Sequence, residues 1–346
     1  MTASRKQVSL EEAVARNVRP GDTICVSLGH ARWTAAAREV ARQFWGTDPR
    51  FTLAMLSLGS FSAAFVRGGM LKKTITAYSG DSFPTYTPNP IFQKAYRSSE
   101  VEVEHWSILT FVQRLEAAAR GLPAVVTGSL AESSMEANAA FAQVDSPFGD
   151  GSVGLVEPLA PDVTLLHAAV ADEEGNLVVP EPGLEGLWAA WAAKRGVIAT
   201  VEKVVSSLEG LGHRVRVPAH RVLAFSEVPF GAHPGGLYAP DLPCLTYGED
   251  IPFWTEVKNA TRGDFDAWTA KWVREVPTQD AYLALLGRDR LSRLEARSDP
   301  MSWKEDVAAH PVDEVSPPTP WEVAAIHGTG ELRSAVERTG ARAVLA

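Results

Sequence analysis

The stretch Thr23-Ile-Cys-Val-Ser-Leu28, with Gly29 behind it and residues 34–45 and 51–56 following, decides the fold. Its first six residues are β-prone and mostly apolar, the pattern of a strand buried on both faces of a parallel sheet. Gly29 breaks the run. Residues 34–45 then place Ala37, Val40, Ala41, Phe44 and Trp45 on one side of a helix. Residues 51–56 read as a second strand, which closes a βαβ unit with the usual right-handed crossover. Upstream, Ser9-Leu-Glu-Glu12 is a candidate capping box for a short helix that Pro20-Gly21-Asp22 ends.

The alternation continues outward from this unit. Strands are predicted over 74–78, 123–127, 163–170, 197–201 and 221–225, and helices over 107–120 and 184–193. Asp172-Glu-Glu-Gly-Asn176 reads as a turn, and Phe265, Trp268, Trp272 and Val273 mark an amphipathic helix. Strands alternating with helices indicate the α/β class, a mostly parallel sheet flanked by helices. Residues 1–296 form that α/β domain, residues 297–320 a Pro- and acid-rich linker containing Ser316-Pro-Pro-Thr-Pro320, and residues 321–346 a helix-strand extension.

Composition narrows the function classes. The chain has 346 residues, 45% of them apolar, enough for a sizeable core, and its 33 basic against 42 acidic residues give a net charge of −9. That balance argues against a general binder of nucleic acid or anionic membranes. Two cysteines, Cys25 and Cys244, make neither a disulfide framework nor a metal cluster. No histidine pair has zinc spacing, so no metal is expected. No apolar run approaches the roughly 18 residues of a membrane span, and residues 1–9 lack the apolar core of a signal peptide, so a cytoplasmic chain is expected.

A motif carries chemistry only in the right structural context. Gly149-Asp-Gly-Ser-Val-Gly154 matches the dinucleotide fingerprint in letters, but Ser146-Pro147-Phe148 precedes it and an apparent strand over 153–156 follows where a helix is needed, so it reads as a loop. There is no nucleophile elbow and no Walker loop. His167 sits inside a strongly apolar strand and reads as a core histidine. Ser27-Leu-Gly29-His30 lies where the first strand ends, the place at which open α/β sheets bind ligands. Tyr78-Ser-Gly-Asp-Ser-Phe-Pro84 likewise follows a strand and clusters short polar side chains. Each is either an ordinary loop or a ligand site on residue type alone. His233, in the Gly- and Pro-rich stretch 228–238, is either a fixed loop residue or a base.

Taken in order, these stretches resemble the A-type subunit of family I coenzyme A transferases, of the glutaconate CoA-transferase kind. The resemblance rests on Val18-Arg-Pro-Gly-Asp22 with the strand to Gly29, on residues 77–84, and on Leu115-Glu-Ala-Ala-Ala-Arg-Gly-Leu-Pro123. It continues through Asp162-Val-Thr-Leu-Leu-His-Ala168, residues 172–176, Gly231-Ala-His-Pro234 and the helices from Asp264-Phe-Asp-Ala-Trp268 onward. Roughly residues 8–295 are covered.

The resemblance implies a heteromeric enzyme that moves CoA between an acyl-CoA and a carboxylate or dicarboxylate. The nucleophilic glutamate would come from a B-type partner, coenzyme A would enter as part of the substrate, and no permanently bound cofactor is implied. Gly29, Ser79 and Ser82 would face the substrate. Relatives tend to carry Gly-Gly and an aromatic at the first loop, whereas Gly29-His30-Ala31 stands here. His30 would either bond a substrate carboxylate or fill the gap. Glu104 is the one acidic candidate near that wall, set against the reading of a charge at a helix terminus. The alternatives on the same scaffold are a CoA-ester hydrolase or decarboxylase, or a non-catalytic acyl-CoA-binding subunit. Residues 321–346 resemble the opening helix and strand of a B-type subunit.

Overall fold

A computed structural model describes residues 6–26, 33–81, 86–130, 132–181 and 183–296, together with positions 327, 328, 330, 331, 334, 337 and 338. Met1–Ser298 form one compact unit and Asp299–Ala346 a second, whose described positions are helical. The predicted linker 297–320 and the terminal strand 341–346 lie outside the described residues.

Helix α1 (Leu10–Asn17) begins at Ser9, whose side chain accepts the Glu12 N–H at 3.1 Å. The Glu12 carboxylate turns to Arg16 along the helix, so half of the expected capping box forms. The deciding βαβ unit follows as β1 (Thr23–Val26), α2 (Thr34–Phe44) and β2 (Phe51–Ala54), with Ile24 opposite Leu53 in parallel register. Along β1, Ile24 and Val26 join the core under α1 and α2, and Cys25 joins the core on the other face. Burial of both faces is why the sequence is an apolar run and not an alternation.

From β2 the chain moves outward. A two-residue extension, β3 (Ser57–Leu58), leads to α3 (Ala63–Arg67), β4 (Leu71–Thr76), β5 (Tyr78–Asp81) and β6 (Thr87–Pro88). The strand expected over 74–78 is thus two strands, broken at Ala77, where the Thr76 hydroxyl donates to the Tyr78 carbonyl at 2.9 Å. Helix α4 (Pro90–Arg97) is capped by Asn89, whose side chain accepts from the Ile91 and Phe92 N–H groups, with Pro90 in the first turn. Then comes β7 (Glu102–His105), a strand that sequence periodicity missed because Glu-Val-Glu-His has one apolar residue. Helix α5 (Ile108–Arg120) starts on Ser107 and ends on Gly121 at φ 68°, a left-handed cap that suits glycine.

A small antiparallel sheet of β8 (Val125–Thr127), β9 (Phe141–Asp145) and β10 (Ser152–Val156) comes next. Within the Gly149–Gly154 stretch, residues 149–151 belong to the β9–β10 turn, but Ser152–Gly154 are already strand β10, so the loop reading holds for the first half alone. The chain then re-enters the main sheet with β11 (Val163–Asp172), ten residues buried throughout. After it come β12 (Leu177–Val178), α6 (Leu184–Ala192), β13 (Gly196–Val205), β14 (Val215–Val217) and β15 (Val222–Glu227). Helices α7 (Ile251–Ala260), α8 (Phe265–Thr269), α9 (Gln279–Leu286) and α10 (Arg288–Ala296) close the unit, with a π-helical turn over Ala270–Arg274.

The parallel strands lie in the order β7-β4-β2-β1-β11-β13-β15. After β1 the chain builds one side of the sheet, and after β11 it builds the other. The sheet therefore has a topological switch between β1 and β11, where α/β sheets open a crevice beyond their C-terminal strand ends.

Candidate active site

The edge of β11 that faces β1 is covered in two pieces. β1 pairs with Val163–Leu165 and β12 with Val170–Ala171. Between them lies His167, fully buried on the strand's α2-facing side. Its Nδ1 is 2.8 Å from Thr200 Oγ1 and its Nε2 3.1 Å from Glu202 Oε2. Glu202 also accepts the Phe230 N–H at 2.7 Å and the Tyr247 hydroxyl at 3.3 Å, and Tyr247 Oη accepts the Ala232 N–H at 3.0 Å. A buried carboxylate of this kind is tolerable because every partner is a donor or a hydrogen-bonded ring. The core histidine of the sequence reading thus ties the sheet to the 230–232 loop.

That loop in turn fixes the helix that starts just past the first candidate segment. The Gly231 carbonyl accepts the Ala35 N–H at 3.1 Å, and the Ala232 carbonyl accepts the Thr34 hydroxyl at 3.1 Å. His233 precedes a cis bond to Pro234 and is 1% exposed. Its Nδ1 lies 2.8 Å from Tyr282 Oη and its Nε2 3.0 Å from Asp250 Oδ2, while Arg290 forks onto both Asp250 oxygens. Burial pushes His233 below its ordinary range and Tyr282 above its own. The neutral arrangement follows: the Tyr282 hydroxyl donates to Nδ1, and Nε2–H donates to Asp250. Burial pushes the Asp250 carboxyl up, but the hydrogen bonds from His233 and Arg290 prevail and hold it well below the usual carboxylate range. Both ring nitrogens of His233 are occupied, as a fixed loop residue requires.

Ser79 lies at the same end of the sheet. β5 runs beyond the C-terminal end of β4, parallel to β3, with Leu58 opposite Ser79. Ser79 Oγ is 3.0 Å from Tyr96 Oη, which is 3.0 Å from Thr74 Oγ1. Next along β5, Asp81 accepts the Ser60 N–H and hydroxyl, each at 2.7 Å, and Asn89 donates to Ser60 Oγ at 3.1 Å. Gly80 has no room for a side chain, since a Cβ would sit 2.4 Å from the Thr87 carbonyl oxygen. Gly29, His30 and Ser82 lie outside the described residues, so Ser79 is the one substrate-facing candidate with a described position.

Glu104 belongs to β7, opposite Ile75, and not to the start of α5, whose cap is Ser107. The reading of a helix-terminus charge is corrected accordingly. Its Oε1 accepts from Trp106 Nε1 at 2.6 Å and from Arg114 at 2.8 Å, and its Oε2 pairs with Lys73 at 2.6 Å. Burial raises the carboxyl, and these three partners outweigh it and hold it below its ordinary value. Such a carboxylate is an ion-pair anchor between the sheet edge and α5.

Among the described residues no group of three or more His, Cys, Asp or Glu side chains could hold a metal ion, and no helix is long and apolar enough to cross a membrane. A cleft of about 830 Å³ opens at the other end of the sheet, lined by Arg50, Leu71 and Glu102 at the strand starts. None of the sequence candidates lines it, but Tyr96, the partner of Ser79, does.

A family model described as coenzyme A transferase matches residues 7–224, more than half of the chain. The A-type chain of glutaconate CoA-transferase from Acidaminococcus fermentans is 26% identical over 313 residues, 84% of this chain and 94% of that protein. The A-type chain of 3-oxoadipate CoA-transferase from Pseudomonas knackmussii is 28% identical over 276 residues, 77% of this chain and 93% of that protein. Among solved structures, A. fermentans glutaconate CoA-transferase superposes with a TM-score of 0.75 over 84% of this chain and 95% of that one, at 26% identity. The decarboxylase AibA/AibB superposes at 0.65 over 76% of this chain and 95% of that one, at 28% identity.

Proposed function

The chain belongs to the coenzyme A transferase family, and from this premise we propose that it is the A-type subunit of a heteromeric enzyme moving CoA from an acyl-CoA to a carboxylate or dicarboxylate. The observation that carries the reading is the family match itself, which spans the whole parallel sheet from β1 into β15. The site supports it in kind. Ser79 and the end of β1 border the same sheet edge, where short side chains and backbone N–H groups can hold an acyl oxygen.

The nucleophile is assigned to a B-type partner, because the one candidate in this chain, Glu104, is already engaged by Lys73, Trp106 and Arg114. In the proposed reaction a partner glutamate attacks the thioester carbonyl. The C–S bond breaks, giving a mixed anhydride and CoA thiolate. The thiolate then attacks the glutamyl carbonyl and releases the first acid. The acceptor carboxylate repeats the sequence in reverse and leaves as the new thioester, so one hard acyl transfer becomes several easier ones. Gly29, His30, Ser79 and Ser82 would line the acyl side of the site.

CoA exchange between glutaconyl-CoA and acetate tests the reading, run with the purified chain alone and with a B-type subunit. Exchange only with the partner is expected. Robust exchange by the isolated chain would reject the division of labour. The likeness to AibA/AibB supports a second reading, a decarboxylase on the same scaffold. Release of CO2 from glutaconyl-CoA without transfer to acetate would select it.

A further inference from the structure

Three hydroxyls from three separate elements meet in one line beneath the candidate acyl site. Ser79 Oγ on β5, Tyr96 Oη on α4 and Thr74 Oγ1 on β4 are linked by contacts of 3.0 Å each. Thr74 and Ser79 are buried, at 0% and 6% exposure, so neither has bulk water to saturate it. The Tyr96 ring is fixed as well, tilted on Phe92 at 5.9 Å and edge-on to His105 at 6.4 Å. Burial raises the Tyr96 hydroxyl above its ordinary range, so it keeps its proton.

We propose that Tyr96 is a positioning residue that sets the Ser79 hydroxyl as the donor to an oxygen of the bound acyl group. The inference rests on the reading of Ser79 as a substrate contact. Each hydroxyl has one proton, and with the Tyr96 proton kept inside the line two senses are available. In one, Ser79 donates to Tyr96, Tyr96 to Thr74, and Thr74 to the Glu102 carbonyl, which lies 3.5 Å away. In the other, Thr74 donates to Tyr96, Tyr96 donates to Ser79, and the Ser79 proton is left for the acyl oxygen. The Glu102 contact is at the outer limit of a hydrogen bond, so giving it up costs little. An acyl carboxylate or carbonyl, which only accepts, therefore selects the second sense. A donor received at Ser79 Oγ also polarises the proton that Ser79 gives. No proton leaves the protein and no bond between heavy atoms changes in this step.

The transferase assembled from this chain and a B-type subunit tests the proposal, with glutaconyl-CoA as donor and acetate as acceptor. Ser79→Ala, Tyr96→Phe and the double variant are compared. Loss of one hydrogen bond predicts that Tyr96→Phe lowers kcat/KM about three- to tenfold, and that the loss shrinks below about twofold in the Ser79→Ala background. An equal loss from Tyr96→Phe in both backgrounds would assign Tyr96 a merely structural role and overturn the proposal. Wild-type kinetics of Tyr96→Phe beside an impaired Ser79→Ala would reject the relay and spare the site. Wild-type kinetics of Ser79→Ala would reject the site and the relay with it. A crystal structure of the Tyr96→Phe chain gives a reading independent of turnover. Ser79 is expected in more than one rotamer with β5 unmoved, and a single unchanged rotamer would overturn the proposal.

Discussion

The imidazole of His167 lies against Gly231 so closely that a Cβ at position 231 would sit 2.5 Å from both Nδ1 and Cε1. The ring is fixed from behind by Thr200 and Glu202, so it cannot yield. Sixty-four positions of chain separate the two residues, and their contact seats the 230–232 loop on β11. Glycine is required here by close approach, not by backbone angle.

Gly231→Ala is therefore expected to destabilise the protein by about 1–3 kcal/mol, the usual range for overpacking. The Val228 carbonyl, 2.8 Å from the same Cβ, blocks the other direction of escape. Thermal melting of the variant checks this. A melting temperature equal to that of the parent would mean that the loop can lift off the ring freely.

The His233 site predicts a pH dependence with a definite sign. Its folded pKa lies below the ordinary 6.5 because of burial. A group depressed in this way lends stability that is complete above its unfolded pKa and is lost as pH falls below about 6.5. Asp250 is also held low, so its contribution persists to lower pH and fails only below the ordinary carboxylate range. Melting temperatures between pH 8 and pH 5 should fall for the parent and flatten for His233→Gln, which keeps a donor and an acceptor but does not titrate. An unchanged slope in the variant would place the titrating group elsewhere.

Glu104→Gln separates anchor from catalyst. Removing the charge takes the carboxylate away from Arg114 and Lys73, and a loss of about 1–3 kcal/mol in stability is expected. In the assembled enzyme kcat should stay within about twofold of the parent, since a group acting through packing does not touch the transition state. A large fall in kcat with unchanged melting would restore Glu104 as a catalytic residue.

The fold was legible wherever burial was two-sided or caps were local. β1 and β11 announce themselves as apolar runs, and Ser107, which begins α5, sits beside a visible periodicity. β7 was not legible, because a sheet-edge strand tied down by ion pairs carries charges where a central strand carries methyl groups. The site was legible as segments but not as contacts. Ser79 stood out as a short polar residue after a strand. Its partner Tyr96 lies 17 positions on, in a helix that the Asn89-Pro90 start would have disclosed. Glu202 and His167 sit 35 positions apart and meet only because β11 and β13 pair in register, with His167 opposite Thr200. No spacing rule reports such a meeting.

The join between β1 and β11 has a consequence for biosynthesis. Ile24 pairs with Val163, so a central strand of the sheet waits for a neighbour made 139 residues later. At ordinary translation rates that interval lasts roughly 7–30 s, far longer than helix or hairpin formation. Once His105 has been made, and until Val163 arrives, β1, β2, β4 and β7 have the sequence to form half a sheet whose inner edge still exposes unpaired backbone and apolar side chains. Such an edge invites pairing with the wrong chain. Yield on expression should therefore respond to lower growth temperature and to chaperone supply more than to any change at the Ser79 end of the molecule.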